Sequence, residues 1–348
     1  MERFILALCL FLSSFWAFAR EPMSQADVAA IIDEFQYENN YREVRSKQIG
    51  SSWDRCWLYE KVIEVEYPGM SKPLQVNMMH YIPSRSQLGD ERVPAVIMIP
   101  PIGGTNLLDR KMAETFCENR MSALILTDDF AYIEAQSQGS LRPPEDHQET
   151  FYRVGAAVKG SLALISADSN LDYNKIGMFG VSLGGVLGSF MMATQADISA
   201  GYFVVAGGDI PQILAVSEQD EVSRIRRKRM SEEGIKTQKE YEEFLRQHIL
   251  FDPMDLAQTM IPETLNMVIA ERDSSVPTPN QRSLHEAFGQ PKTRYINAGH
   301  VDAVISALFW ASDRRDIARF FEKRFSIPNP RPDVFEFLNT INYMAAAQ

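Results

Sequence analysis

The stretch "KIGMFGVSLGGVLGSF", residues 175–190, places five glycines between two apolar runs. These small residues could line a packing seam between helices, or they could permit a sharp turn that presents Ser182 as a nucleophile. The run before Ser182 is apolar, as in a buried strand, and the run after it is typical of a helix. A nucleophile on a tight strand-to-helix turn needs small residues two positions before and after it, where this chain has Gly180 and Gly184. The pattern favours the nucleophile.

The sequence around this stretch alternates short apolar runs with longer helical patterns. Such an alternation indicates a parallel sheet that is covered by helices on both faces. Ahead of it, residues 61–67 and 74–83 alternate apolar and polar side chains on either side of a turn at 68–72. That pattern predicts an antiparallel hairpin. The predicted fold class is therefore α/β, with a mostly parallel central sheet, an antiparallel hairpin at its start and helices on both faces.

Composition shifts along the chain predict its organisation. The predicted segments are a signal peptide at 1–19, an N-terminal helix with a polar segment at 20–56, the α/β domain at 57–325 and a docked C-terminal tail at 326–348. Within the α/β domain, the charged residues 209–262 predict a helical cap insert, and residues 128–149 form a loop too long to be a simple connection. The tail has four apolar residues at helical spacing: Val334, Phe335, Leu338 and Ile341.

The first residues have the pattern of a secretory signal. Residues 4–12 are apolar, and Ala17 and Ala19 supply the small residues that a signal peptidase needs, so we predict cleavage after Ala19. The alternative is a membrane anchor, but the apolar run is well short of the ~20 residues that a spanning helix requires. We therefore expect a secreted or periplasmic protein without stable membrane insertion.

Charge and motif content exclude several classes of function. The formal net charge of -11 repels phosphate backbones, so no nucleic-acid partner is expected. No C-x-x-C or H-E-x-x-H spacing occurs, and Val186 and Leu187 stand where a phosphate loop needs Lys and then Ser or Thr. The sequence thus predicts no metal and no cofactor. Outside the signal, Cys56 and Cys117 either form a disulfide or remain free thiols, and the sequence leaves both open.

From about residue 60 to 325, the chain resembles the α/β-hydrolase superfamily, with a layout similar to its dienelactone-hydrolase and bacterial serine esterase branches. The resemblance rests on the G-x-S-x-G pattern of residues 180–184 at the end of the fifth strand counted from the hairpin. It implies a triad in the chain order serine, acid, histidine, with Ser182 as the nucleophile.

The resemblance also implies the other two triad positions. Of five histidines, only His300 follows a strand-like run, and Gly299 permits the sharp loop that carries the catalytic imidazole in this family. Asp273 lies just beyond a buried strand in the family's D-x-x-V-P turn. His300 would accept the proton of Ser182, and the acid would fix the tautomer of the imidazole. Glu271 and Asp209 remain alternative acids.

An oxyanion hole of two backbone N–H groups is expected in this family. Leu183, next to the nucleophile, is the first donor. The second comes from the loop after the strand at 93–99, where Pro100-Pro101-Ile102-Gly103-Gly104 replaces the family's usual His-Gly pattern. Ile102 is the donor by register, and Gly103 is the alternative.

These residues predict an exported serine hydrolase that cleaves a small or medium carboxylic ester through an acyl-enzyme. Alternatives on the same triad are an acyltransferase or a peptidase. A noncatalytic binding module with a vestigial site is an alternative of another class. The cap insert and the long loop, which contains Phe130, Tyr132 and Arg142, are expected to shape the substrate pockets.

Overall fold

The structure is a computed structural model of the 348-residue chain. It describes residues 23–38, 40–52, 55–67, 72–84, 91–128, 147–326, 328–332 and 334–336. The predicted signal peptide at 1–19 and the loop residues Phe130, Tyr132 and Arg142 lie outside the described residues.

One nine-stranded sheet runs through the described part of the chain. The strands are β1 Arg42–Ser52, β2 Cys56–Val65, β3 Leu74–Pro83, β4 Val93–Ile99, β5 Ser122–Leu126, β6 Leu171–Val181, β7 Ile198–Val204, β8 Leu265–Ala270 and β9 Lys292–Ile296. Their order is β1-β2-β3-β5-β4-β6-β7-β8-β9. All pairs from β5 to β9 are parallel, whereas β1, β2 and β3 pair antiparallel and β3 also runs antiparallel to β5. The predicted sheet and its antiparallel hairpin are confirmed.

The outermost antiparallel strand was not predicted. Residues 20–56 were expected to hold a helix and a polar segment, but Arg42–Ser52 pairs with Cys56–Val65 as β1. This strand lies at the sheet edge with mostly exposed side chains, so it shows no apolar alternation that sequence analysis could detect. The sheet therefore contains one more strand, β1, before the two strands of the predicted hairpin.

Helices cover both faces of the sheet. Those in chain order are α1 Gln25–Glu34, α2 Leu107–Glu118, α3 His147–Ala167, α4 Leu183–Thr194, α5 Ile210–Val216, α6 Asp220–Glu232, α7 Gln238–His248, α8 Thr278–Ala287, α9 His300–Leu308 and α10 Ala311–Phe325. In β4, Ile97 packs into one buried cluster with α1, α3 and α4. Its neighbours Val96 and Met98 pack into a second cluster with α2, α9 and α10. Side chains of a strand point alternately to the two faces, so the sheet divides the core into two layers.

The charged insert between β7 and β8 is helical. It contains α5, α6 and α7, followed by short 3-10 turns at Pro253–Thr259 and Pro262–Thr264. Its helices share a small core of their own, formed by Ala215, Tyr241, Leu245 and Ile249. The insert follows the carboxyl end of β7, the edge of the sheet at which open α/β sheets bind their ligands.

A disulfide joins the antiparallel strands to the parallel half of the fold. Cys56 at the start of β2 and Cys117 in α2 are bonded, with a Cα–Cα distance of 6.0 Å. Both side chains are buried. The bond closes a 61-residue separation that includes β3, β4 and the loop before α2.

The described part of the C-terminal tail is anchored by a buried arginine. The Arg331 guanidinium donates to the backbone oxygens of Met192, Gln195 and Ile198, at the end of α4 and the start of β7. Burial lowers the pKa of Arg331 to about 9. Phe335 is buried against the first core layer and lies 5.4 Å from the guanidinium carbon of Arg331. Of the predicted docking residues, Leu338 and Ile341 lie outside the described residues.

Candidate active site

Ser182 sits on a sharp turn between β6 and α4. Its backbone has φ 55° and ψ -122°, a region that non-glycine residues rarely adopt. A Cβ on Gly180 would lie 2.1 Å from the oxygen of Gly184, and a Cβ on Gly184 would lie 2.0 Å from the oxygen of Ile99. Both distances are far below van der Waals contact, so the turn tolerates no side chain at either position. Gly180 and Gly184 thus allow the close backbone approach of the turn and the adjacent loop, whereas Gly177, Gly185 and Gly188 pack against Phe321, Ala206 and Met178.

His300 lies within hydrogen-bond distance of Ser182. His300 is the first residue of α9, and its Nε2 lies 2.9 Å from the Ser182 Oγ. Its Nδ1 lies 2.6 Å from Oδ2 of Asp273, which follows β8. The side chain of His300 is 17 % exposed and that of Asp273 is fully buried. Three residues from distant parts of the chain therefore form one continuous chain of two hydrogen bonds.

Further hydrogen bonds orient the Asp273 carboxylate. Its Oδ1 accepts from the backbone N–H groups of Ser275 and Val276, at 2.8 and 3.0 Å. Its Oδ2 accepts from Nε2 of Gln281 in α8, at 2.8 Å. The Gln281 amide also accepts from the Ala270 N–H, so it ties the acid to the end of β8. Sequence analysis missed Gln281, because a glutamine in a helical pattern gives no sign of what it faces.

The two alternative acids are engaged elsewhere. Asp209 caps the start of α5 and accepts a hydrogen bond from Arg246 at 2.7 Å. Glu271 is half exposed, and its carboxylate lies 3.7 Å from the guanidinium of Arg282. Asp273 is thus the acid that contacts His300.

Other histidines have different surroundings. His80 is fully buried in β3, where its Nε2 lies 2.7 Å from the Ser122 Oγ, and burial lowers its pKa to about 3. The Nε2 of His285 lies 3.0 Å from the backbone oxygen of Pro291. Among the described residues, His300 is the histidine within hydrogen-bond distance of the Ser182 Oγ.

The loop after β4 lies directly beside the Ser182 turn. The oxygens of Ile99 and Pro100 would touch a Cβ on Gly184, and Ile102 and Gly103 line the same cavity as Ser182 and Leu183. Gly103, the alternative donor, has φ 88°, a backbone conformation that favours glycine. Gly104 donates its N–H to the Pro101 oxygen instead.

Asp109 forms a hydrogen bond at the point where this loop meets α2. Its carboxylate accepts the N–H of Asn106, and the Asn106 side chain caps α2 in return. Burial raises the pKa of Asp109 to about 6, although the hydrogen bond from Asn106 opposes the shift. The loop next to Ser182 therefore ends in a buried carboxyl group.

A cavity of about 680 Å³ adjoins Ser182 and His300. Its walls come from α3, α4, α9, the loop after β4 and the cap helices α5 and α6. Over the described part of the chain, no group of three or more His, Cys, Asp or Glu side chains is placed to hold a metal ion. The helices of that part include none that is long and apolar enough to cross a membrane.

Neither a protein-family profile nor a curated protein sequence matches the chain. Solved structures do match. The acetyl xylan esterase from a Paenibacillus species has a TM-score of 0.63 at 15% identity, covering 90% of this chain and 99% of that one. A CE15 glucuronoyl esterase from Teredinibacter turnerae has a TM-score of 0.53 at 13% identity, and the match covers 86% of this chain and 84% of that one. Acetyl xylan esterase 1 from a Thermoanaerobacterium species has a TM-score of 0.53 at 12% identity, and the match covers 81% of this chain and 90% of that one.

The sheet topology and these neighbours establish that the chain has the α/β-hydrolase fold. The expected fold class is confirmed, and the resemblance to the α/β-hydrolase superfamily holds at the level of the fold.

Proposed function

We propose that this protein is a serine hydrolase that cleaves carboxylic esters through an acyl-enzyme. The observation that carries the proposal is the pair of hydrogen bonds that joins Ser182 to His300 and His300 to Asp273. A serine hydroxyl is a weak nucleophile until a base accepts its proton, and an imidazole held by a buried carboxylate is such a base.

Acylation begins when the Ser182 Oγ attacks the ester carbonyl carbon and its proton moves to Nε2 of His300. The negative charge that develops on the carbonyl oxygen is stabilised by the N–H of Leu183 and by that of Ile102 or Gly103. Asp273 keeps a proton on Nδ1 of His300, which leaves Nε2 free to act as the base. His300 then gives its proton to the departing alkoxide, so an alcohol leaves and Ser182 carries the acyl group.

Deacylation repeats these roles with water. His300 takes a proton from water, the hydroxide attacks the acyl carbonyl, and the same N–H groups hold the oxyanion. The tetrahedral intermediate collapses, the acid leaves, and the proton on His300 returns to the Ser182 Oγ. Each proton that His300 removes is returned within the cycle, so the reaction consumes only ester and water.

Two further observations support the proposal. The structural neighbours with the same fold are, by name, esterases. The Cys56–Cys117 bond supports export to the periplasm or the exterior, because disulfides persist mainly in oxidising compartments. We therefore propose that the signal at 1–19 is cleaved after Ala19 and that the mature enzyme acts outside the cytoplasm.

The proposal is tested by treating the purified protein with a fluorophosphonate and measuring its intact mass. We expect stoichiometric labelling of the parent, no labelling of Ser182→Ala, and much slower labelling of His300→Ala. Ser189→Ala is the matched control for the serine, because that buried hydroxyl in the same helix bonds only within α4. Absence of labelling in a folded parent protein, or equal labelling of Ser182→Ala, would contradict the proposal.

An ester, thioester and amide panel then separates hydrolysis of esters from peptidase activity. Added alcohols reveal acyl transfer through a transesterified product.

A further inference from the structure

The cavity next to Ser182 has largely apolar walls. The cap contributes Ile210, Ile213 and Leu214 from α5 and Val222 and Ile225 from α6. The body of the fold contributes Phe151 from α3 and Val186 and Leu187 from α4. Apolar side chains thus face the cavity both from the insert and from the helix that Ser182 begins.

The polar side chains at the cavity are largely bound to the protein itself. The Ser217 hydroxyl donates to the Ser275 oxygen at 2.7 Å, and the Gln219 side chain accepts from the Val222 N–H at 2.8 Å. The Asn106 side chain accepts from Leu108 at 2.8 Å. A sugar ring needs unoccupied donors and acceptors for its hydroxyl groups, and here the Ser217 hydroxyl and the amide oxygens of Gln219 and Asn106 are already bonded within the protein.

The ionisable side chains of the described cavity wall are Glu221, His147, His300 and Tyr241. Among the described residues that line it, none is Lys or Arg. Two cap arginines flank the lining residue Ile225, and both are engaged: Arg226 is buried and donates to the backbone oxygens of Ser217 and Leu214, and Arg224 donates to the Glu221 carboxylate at 2.6 Å. A substrate carboxylate or phosphate would therefore be buried without a partner, which is unfavourable.

The proposed reaction limits how an ester can lie in this space. The leaving oxygen must meet Nε2 of His300, and the residues that follow His300, Val301 and Ile305, lie on α9. These α9 residues line the same cavity as the cap, so an alcohol that lies along α9 leaves the side toward the cap helices α5 and α6 for the acyl group. A volume of about 680 Å³ is in the range of pockets that enclose drug-sized ligands, and an acetyl group would leave most of it empty.

We propose that this cavity is the acyl site and that the preferred substrates are uncharged esters of medium-chain fatty acids. The inference rests on the proposed function, because it assigns the acyl half of the substrate of the same site. It distinguishes this protein from an enzyme that removes acetyl groups from sugars.

The first test varies the acyl chain with a constant leaving group, using p-nitrophenyl esters from acetyl to dodecanoyl. Each methylene that enters the cavity should raise kcat/KM by up to about fourfold. We expect octanoyl to exceed acetyl by at least about 30-fold, and glucose pentaacetate to be a poor substrate. A flat series, a series in which acetyl is best, or a preference that follows the alcohol length in a matched series of acetate esters would overturn the assignment.

A pair of valine variants tests the position of the site. Val222 lines the cavity from α6, whereas Val216 lies on α5, is 37% exposed and does not line it. In Val222→Trp, the indole should fill part of the acyl site, so the octanoyl to acetyl ratio of kcat/KM should fall by about tenfold or more. In Val216→Trp, the ratio should stay within about twofold of that of the parent. Equal ratios in the two variants would place the acyl chain elsewhere.

A binding measurement separates this inference from the proposed function. The Ser182→Ala protein is titrated by calorimetry with methyl octanoate and with methyl acetate, and octanoate should bind at least about tenfold more tightly. Equal affinities together with fluorophosphonate labelling of the parent would reject the acyl site alone. Tight octanoate binding without any labelling would reject the hydrolase and keep the site.

Discussion

The Asp273 carboxylate accepts hydrogen bonds from several groups besides His300. Two backbone N–H groups and the Gln281 amide donate to its carboxylate, and His300 Nδ1 adds a fourth donor. A carboxylate that accepts hydrogen bonds from four donors is fixed in orientation. The Gln281 contact matters for the same reason as the backbone contacts, because it aims Oδ2 at the imidazole.

We expect Asp273→Asn to lower kcat/KM for an ester by roughly 10³- to 10⁴-fold, since the amide no longer selects the tautomer with a free Nε2. The measurement is steady-state hydrolysis, with circular dichroism to verify folding. Glu271→Gln, two residues earlier and paired with Arg282 at the surface, is the control and should stay within about twofold. A loss of less than tenfold in Asp273→Asn would remove this acid from the mechanism.

Gly184 allows two backbone segments to touch. Because an added Cβ would lie 2.0 Å from the Ile99 oxygen, Gly184→Ala must displace the loop that carries Ile102 and Gly103. We expect a lower thermal midpoint and a loss of activity of about 100-fold or more, from a displaced oxyanion donor. Gly50→Ala is the matched control, because a Cβ there has no atom within 4 Å, and both properties should be unchanged. An active Gly184→Ala enzyme with the parent's midpoint would contradict the close approach.

Asp109 predicts a pH-dependent difference in stability. Burial raises its pKa from 3.8 to about 6, so the folded protein retains a proton that the unfolded chain releases between these values. The free energy of unfolding therefore loses this contribution as the pH rises from about 4 through 6. At pH 7.5 we expect Asp109→Asn to be more stable than the parent by about 1–3 kcal/mol, with the gap closing near pH 4. Urea unfolding at pH 7.5 and pH 4 measures the difference in the free energy of unfolding between the variant and the parent. The same difference at both pH values would contradict the raised pKa.

At the scale of elements, the disulfide connects β2 to α2, the helix that follows the candidate oxyanion loop. In the chain-entropy account, a link across 61 residues stabilises the fold by roughly 4 kcal/mol. We expect the Cys56→Ala, Cys117→Ala double variant to unfold at a clearly lower urea concentration than the oxidised parent. Added reductant should lower the midpoint of the parent and leave that of the double variant unchanged. Coincident midpoints without reductant would contradict this contribution.

The described part of the tail is a second connection between elements, in which Arg331 makes three hydrogen bonds to the body. Arg331→Ala removes three hydrogen bonds to the backbone oxygens of Met192, Gln195 and Ile198, of which the first two keep a backbone N–H donor, so we expect a loss of roughly 2–4 kcal/mol in the free energy of unfolding. Arg319→Ala, at an exposed position on α10, should change it by less than about 0.5 kcal/mol. Similar losses in both variants would mean that the tail does not stabilise the body.

Over the whole molecule, the buried strands and the Ser182 turn could be predicted because their signals are local. Short apolar runs, glycines at fixed offsets and a D-x-x-V-P turn are legible within a few residues. The edge strand β1 could not be predicted from the sequence, because it pairs with β2 through backbone groups and its side chains are mostly exposed to solvent. Likewise, the Cys56–Cys117 bond and the Gln281 contact depend on distances between elements that only the folded chain defines.

The hydrogen bond between Ser182 and His300 joins residues 118 positions apart, with β7, the cap, β8 and β9 between them. During synthesis, the nucleophile turn therefore emerges long before its base. On the proposed mechanism, a nascent chain or a product of premature termination before residue 300 carries an inert hydroxyl. Fluorophosphonate titration consequently counts molecules that have been completed and folded through α9, which makes it a direct assay of the native fraction in any preparation.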